Sequence, residues 1–303
     1  MPYIETHDHQ SLYVRTLGKG PMVLLVHGFG MDSRHWLPII TPLLGRYRFV
    51  MPDLRGFGRS SRLTCSESCV LTSHSRDLES ILAHYGHPPV YLAGISLGAL
   101  TALQFLHRTG GRHVRHYLHI DQAPCVLNGP DWQWGLFGAE GPLRLQRWYA
   151  LLEEFRHFSP ETSFESLPQT YQSYFYEEFA RFAATAMSKD WLKQGAHRLL
   201  RTPALAHQFL PMESWYTLLQ HVNAYLNLNY DLRPLLPQVE TPSTIMVGRR
   251  SEMYPWQGQV AMQRAMPDAR LVMMERSGHV PFVDQPLRFI RILREIFSPS
   301  TDG

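Results

Sequence analysis

Ser96 lies in Gly94-Ile95-Ser96-Leu97-Gly98, a serine between two glycines at G-x-S-x-G spacing. The apolar run before it, Val90-Tyr91-Leu92-Ala93, reads as a buried strand, and Ala99 to Phe105 is rich in helix formers. A serine on a strand-to-helix turn is a nucleophile elbow. Small flanking residues let neighbouring backbone pass close, so the hydroxyl stands clear of the sheet. The helix start offers free N–H groups and a partial positive charge, which suit a developing oxyanion. The chemistry of such a serine is attack on an acyl carbon. A glycine-rich turn with a surface serine has the same letters, so the rest of the chain has to decide.

Two further segments supply what that chemistry needs. Met22-Val23-Leu24-Leu25-Val26 is a continuous apolar run, as in a strand buried on both faces, and it ends in His27-Gly28-Phe29-Gly30. Acyl transfer requires two backbone donors aimed at the tetrahedral oxygen. Leu97, the residue after the serine, supplies one, and Phe29 in its glycine-flanked loop supplies the other. Near the C-terminus, the strand-like Ala269 to Met274 leads into Ser277-Gly278-His279-Val280-Pro281-Phe282. The chain has 16 histidines, and His279 is set apart by its Gly-His turn after a late strand and before a terminal helix. Its role would be to take the Ser96 proton and return it to the leaving group.

In this order the segments resemble α/β-hydrolase fold enzymes. The resemblance rests on His27-Gly28-Phe29-Gly30, Asp53-Leu54-Arg55-Gly56-Phe57-Gly58-Arg59-Ser60, Gly94-Ile95-Ser96-Leu97-Gly98 and Gly278-His279. Asp121 to Trp132, with an Asp-x-x-Pro turn, Asn128 and Trp132, is similar to an esterase- or haloperoxidase-like bacterial subgroup. The resemblance implies a mostly parallel sheet with helices on both faces and an inserted helical lid. The stretch from Asp53 to Ser60 reads as a structural turn, with glycines for tight backbone and Asp53 and Arg55 for polar contacts.

The chain departs from the family at the catalytic acid. In the family an aspartate commonly sits three residues after the glycine that ends the strand beyond the lid. Here Gly248-Arg249-Arg250-Ser251-Glu252-Met253-Tyr254-Pro255 has Ser251 at that place, with Pro255 keeping the register. A serine cannot carry the negative charge that stabilises an imidazolium. Asp121, ending the strand after the elbow helix, is the favoured substitute, because both strand ends lie on the carboxyl edge of the sheet. It also reads as a loop-capping aspartate. Glu252, one residue late but one methylene longer, is the alternative acid, and a histidine oriented by water or serine is the third.

The elements that must position these residues follow from pattern. Strands are expected near Leu12–Thr16, Met22–Val26, Phe49–Pro52, Val90–Ala93, Tyr117–Ile120, Thr244–Val247 and Leu271–Met274. Between them Leu78, Ile81, Leu82 and Tyr85 fall at helical spacing, stopped by Gly86. Phe289, Ile290, Leu293, Ile296 and Phe297 form a terminal helix, with Asp284 expected as its cap. Alternation of this kind gives a mostly parallel sheet covered on both faces. It fails between Pro124 and Pro237, where Trp132, Trp134, Trp148, Trp191 and Trp215 lie. The expected organisation is a core of residues 1–123 and 238–303 with a helical lid of residues 124–237. Tyr171, Tyr174, Phe175, Phe179 and Phe182 read mostly as lid core, and Glu153-Glu154 and Glu177-Glu178 as solvated helix faces.

With 303 residues and 44% hydrophobic content, the chain can bury a large core. A net charge of +3 and the absence of a basic cluster argue against nucleic acid. No apolar run approaches the length of a membrane span, and the N-terminus has no signal-peptide pattern. Cys65, Cys69 and Cys125 make no disulfide framework and fit a reducing, cytoplasmic compartment. Cys65 and Cys69 have no second pair to complete a zinc site, and His7 and His9 have no third ligand beside them.

These readings converge on a serine hydrolase acting through an acyl-enzyme on a small or medium apolar carboxylic ester, without cofactor or metal. The same machinery would serve a lactone, a thioester or a carbon–carbon bond beside a ketone, with perhydrolysis as a side activity. Ser96 in place of an aspartate argues against epoxide or haloalkane chemistry. A different class stays open as well: a ligand-binding protein that keeps serine and histidine without an acid.

Overall fold

A computed structural model describes residues 2–65, 69–202, 206, 215–228 and 230–297. Eight strands form one sheet: β1 (Tyr3–Glu5), β2 (Ser11–Gly18), β3 (Met22–Val26), β4 (Arg48–Pro52), β5 (Val90–Ile95), β6 (Val114–Ile120), β7 (Ser243–Gly248) and β8 (Ala269–Met274). Their spatial order is β1-β2-β4-β3-β5-β6-β7-β8. The pairs β1–β2 and β2–β4 are antiparallel, and every pair from β4 to β8 is parallel. All seven expected strands form. The addition is β1, an edge strand too short to carry a period in the sequence.

The central strands are apolar throughout because both faces of the sheet are covered. Every residue of β3, β5 and β7 is buried. Side chains alternate between two cores: Leu24, Val26 and Leu92 pack in one, Val23, Leu25, Tyr91 and Ala93 in the other. The first core takes in α2 (Val70–His84) and α3 (Leu97–Thr109). The second takes in α1 (Leu37–Ile40) and the C-terminal helix. Between β6 and β7 lie α4 (Gly141–Phe155), α5 (Gln169–Thr185), α6 (Asp190–Leu200) and α7 (Trp215–Asn227). The chain then runs through β7, α8 (Trp256–Ala265), β8, the short α9 (Pro281–Asp284) and α10 (Pro286–Ile296). Among the described residues, no helix is long and apolar enough to cross a membrane.

One expected cap is corrected. Asp284 does not cap the terminal helix, whose N-cap position is Gln285 with Pro286 next. The Asp284 carboxylate, one residue before that position, is held by other donors instead. One Asp284 oxygen accepts the Gly278 N–H at 2.8 Å, and the other accepts the hydroxyl of Ser188, between α5 and α6.

Candidate active site

Ser96 joins β5 to α3 with φ +54° and ψ −123°, a conformation that L residues seldom adopt. The flanking glycines are there for close approach. A Cβ on Gly94 would lie 2.3 Å from the Gly98 carbonyl oxygen, and one on Gly98 would lie 2.3 Å from that of Val26. No side chain fits in either gap. Leu97 is the first residue of α3, so its N–H precedes the helical ladder.

Asp121 follows the end of β6, which pairs with β5 through Ile95 and Ile120. Register therefore sets it beside the elbow. Its own φ is +43°, so two of the non-glycine residues with left-handed backbone are Ser96 and Asp121. The carboxylate is fully buried. One oxygen accepts the Gly248 N–H at 2.8 Å and the Gln259 amide at 3.1 Å. The other bonds His279 Nδ1 at 2.8 Å. His279 also faces the Tyr254 ring at 5.9 Å, and it lines a cavity together with Ser96, Gly28 and Phe29.

The two residues of the later loop take other roles. Ser251 closes a turn: its N–H bonds the Gly248 carbonyl at 3.1 Å and its hydroxyl accepts the Tyr254 N–H at 3.4 Å. Glu252 is ion-paired with Lys193 of α6, with its side chain 42% exposed. The structure thus brings Asp121 to His279 and leaves Glu252 at the surface. A one-residue offset turns its side chain away from the cleft, and the extra methylene does not recover the direction.

The loop carrying Phe29 is fixed by His27. Its Nε2 accepts the Leu54 N–H at 2.9 Å, so the proton is on Nδ1, which donates to the Gly28 carbonyl at 2.8 Å. Burial lowers the pKa of this ring and keeps it neutral. The Phe29 ring packs 5.5 Å from Phe57, 5.8 Å from Phe179 and 5.6 Å from Phe182. The Asp53 turn is structural as expected, its carboxylate accepting the N–H groups of Ser33 and Arg59, each at 2.8 Å.

Ser96 also opens onto a second, apolar chamber, a narrow space of about 40 Å³ lined by Leu136, Leu145, Trp148, Phe182, Val222 and Tyr254 among others. Phe182 and Trp148 therefore face the cleft as well as packing on each other, with Trp148 also against Phe179, so Phe182 is not helix core alone. Sequence reading missed Gln259, whose long reach to Asp121 has no local signature. It also missed a cluster beside this chamber. His74 Nε2 and His221 Nε2 are 2.9 Å apart, and Cys65 lies with them.

An alpha/beta hydrolase fold family matches residues 21–286. The chain belongs to the alpha/beta hydrolase family. Among curated relatives of this hydrolase is the pimeloyl-[acyl-carrier protein] methyl ester esterase of Aeromonas hydrophila. It is 26% identical over 288 residues, spanning 93% of this chain and 98% of that one. The enzyme of the same name from Nitrosomonas europaea is 28% identical over 285 residues, spanning 92% and 97%. Among solved structures, the esterase EaEST from Exiguobacterium antarcticum has a TM-score of 0.72 at 23% identity, covering 97% of each chain. The enol-lactonase from Burkholderia xenovorans LB400 has a TM-score of 0.73 at 16% identity, covering 98% and 100%. These likenesses show that the hydrolase fold extends over nearly the whole chain.

Proposed function

We propose that this hydrolase cleaves carboxylic esters of small or medium apolar substrates through an acyl-enzyme on Ser96. The observation that carries the reading is the 2.8 Å bond from His279 Nδ1 to buried Asp121, in a residue set that shares one cavity with Ser96. Asp121 holds the proton on Nδ1, which leaves Nε2 as the base for the Ser96 hydroxyl. Ser96 attacks the ester carbonyl, and the N–H groups of Phe29 and Leu97 receive the oxyanion. The imidazolium gives its proton to the departing alkoxide. Water, deprotonated by His279, then releases the acid and restores Ser96. No step calls for a metal or cofactor.

Residues 124–237 serve as the lid over a core of residues 1–123 and 238–303, excluding water from the acyl-enzyme. The chamber wall is apolar, which favours a hydrocarbon acyl chain over a charged one. The two esterase relatives act on methyl esters by their names, and an ester of a small alcohol with an apolar acyl group is the matching expectation for this hydrolase. The three cysteines are free, in keeping with a cytoplasmic setting. A purely ligand-binding role was motivated by Ser251, and the Asp121–His279 bond removes that motive.

The test is hydrolysis of p-nitrophenyl esters from acetate to decanoate, with Ser96→Ala as control and fluorophosphonate labelling in parallel. Activity and labelling that both vanish in the control support the reading, and the chain-length optimum sizes the chamber. A wild-type protein that neither labels nor turns over any ester of the panel would overturn it.

A further inference from the structure

We propose that Cys65, His74 and His221 form a binding site for a zinc-like divalent ion that ties α7 to the core. One ligand atom from each residue lies within 4.8 Å of the others. The two imidazole nitrogens are 2.9 Å apart. Tetrahedral zinc with bonds of about 2.0–2.3 Å needs ligand atoms roughly 3.4–3.7 Å apart. The observed separations bracket that requirement, so small side-chain shifts are enough.

The tautomers suit ligation. His221 Nδ1 donates to the Thr217 carbonyl at 2.7 Å, which leaves its Nε2 as a lone pair pointing at His74. Orientation of a ligand histidine by such an outer hydrogen bond is the usual arrangement in metal sites. His74 Nδ1 is buried without a hydrogen-bond partner. The bond to His221 holds the His74 proton on Nε2, and an arriving ion would move that proton to Nδ1, where no existing bond has to be broken, and free Nε2 as a ligand. Zinc binds cysteine as the thiolate, so an arriving ion must displace the Cys65 proton.

The surroundings are built to hold the site. Arg55 donates to Asp77 and Asp8, and its Nη1 bonds the Thr64 carbonyl at 3.0 Å, next to Cys65. These bonds hold the backbone beside Cys65 against α2. Cys65 is half-buried, which gives an ion a way in, while both histidines are fully buried. Cys65 precedes α2, His74 lies on α2 and His221 on α7, so the ion would join a segment inserted after β6 to the core. A soft thiolate with two imidazoles selects zinc, cobalt or copper over magnesium or calcium.

The experiment adds cobalt(II) stepwise to the metal-free full-length protein and reads the thiolate-to-cobalt charge-transfer band, then displaces cobalt with zinc. The expected result is one ion per chain, release of roughly one proton per ion, and a band that zinc abolishes. Cys65→Ser should remove the band, His221→Asn should weaken zinc binding about tenfold or more, and Cys69→Ser should leave both unchanged. Near-ultraviolet circular dichroism identifies folded variants. If His221→Asn does not fold, Cys65→Ser on its half-buried loop reads the site independently. Absence of the band in the folded wild-type protein, or a band that survives Cys65→Ser, would overturn the proposal.

Discussion

Replacing Asp121 with asparagine probes the site at a single atom. One carboxylate oxygen of Asp121 already receives two donors, Gly248 N–H and the Gln259 amide, and the other receives one, from His279. An asparagine carbonyl will take the two-donor position, because an NH2 group there would face two N–H groups. Its NH2 must then point at His279 Nδ1. Nδ1 can only accept that hydrogen bond, so the imidazole proton moves to Nε2, where a lone pair is needed for Ser96. Packing and cavity are unchanged, since the two side chains are nearly isosteric. The expected loss in kcat is about 10³–10⁴-fold, or roughly 4–5.5 kcal/mol of transition-state stabilisation, with KM within about threefold. Glu252→Gln loses only its pair with Lys193, with the glutamate side chain 42% exposed. Such a pair contributes about 1 kcal/mol at most, and kcat should stay within about twofold. The assay is steady-state hydrolysis of the best p-nitrophenyl ester by purified, folded variants. An Asp121→Asn enzyme within about tenfold of wild type would refute the reasoning, as would a larger loss in Glu252→Gln.

Two further outcomes follow from packing and protonation. Gly98→Ala should destabilise the protein by about 3 kcal/mol or prevent folding, because the new methyl would meet the Val26 and His27 carbonyl oxygens at 2.3 and 2.5 Å; urea unfolding showing a loss below about 0.5 kcal/mol would contradict this. Burial lowers His119 and His221 to about 4, against an unfolded value near 6.5. The unfolded chain therefore takes up protons first as pH falls. The contribution of the two neutral rings is complete above pH ~6.5 and drains away toward pH ~4, at about 1.4 kcal/mol per pH unit per ring. Urea midpoints at pH 7, 6 and 5 should fall in step, and a flat profile would count against buried neutral histidines.

The strands and the elbow were legible because their signals are local. Val90–Ile95 is a continuous buried run, and the glycines on either side of Ser96 stand at the fixed spacing of the turn, with Gly94 against the Gly98 carbonyl. The choice between Asp121 and Glu252 was only half legible. Deciding it takes the pairing of β6 with β5 and β7, which sets Asp121 against His279 across a long span of sequence. Gln259 and His221 were illegible for the same reason. An amide on α8 and an imidazole on α7 acquire meaning only when the tertiary structure brings them to Asp121 and His74. The cluster around Cys65 was illegible because its histidines come from two helices rather than from a second cysteine pair. Asp284 misled because a helix start and a loop N–H compete for the same carboxylate, and the loop won.

The grip of Asp284 on both Gly278 and Ser188 has a mechanical consequence. The backbone of Gly278 sits close against Ser188, where a Cβ on Gly278 would lie 3.1 Å from the Ser188 Cβ. Gly278 immediately precedes His279, so the turn that aims the imidazole is seated directly on the link between α5 and α6. The aim of the imidazole is thereby anchored to a segment far from it in sequence, so a substitution at Ser188 reaches the base without touching the cleft.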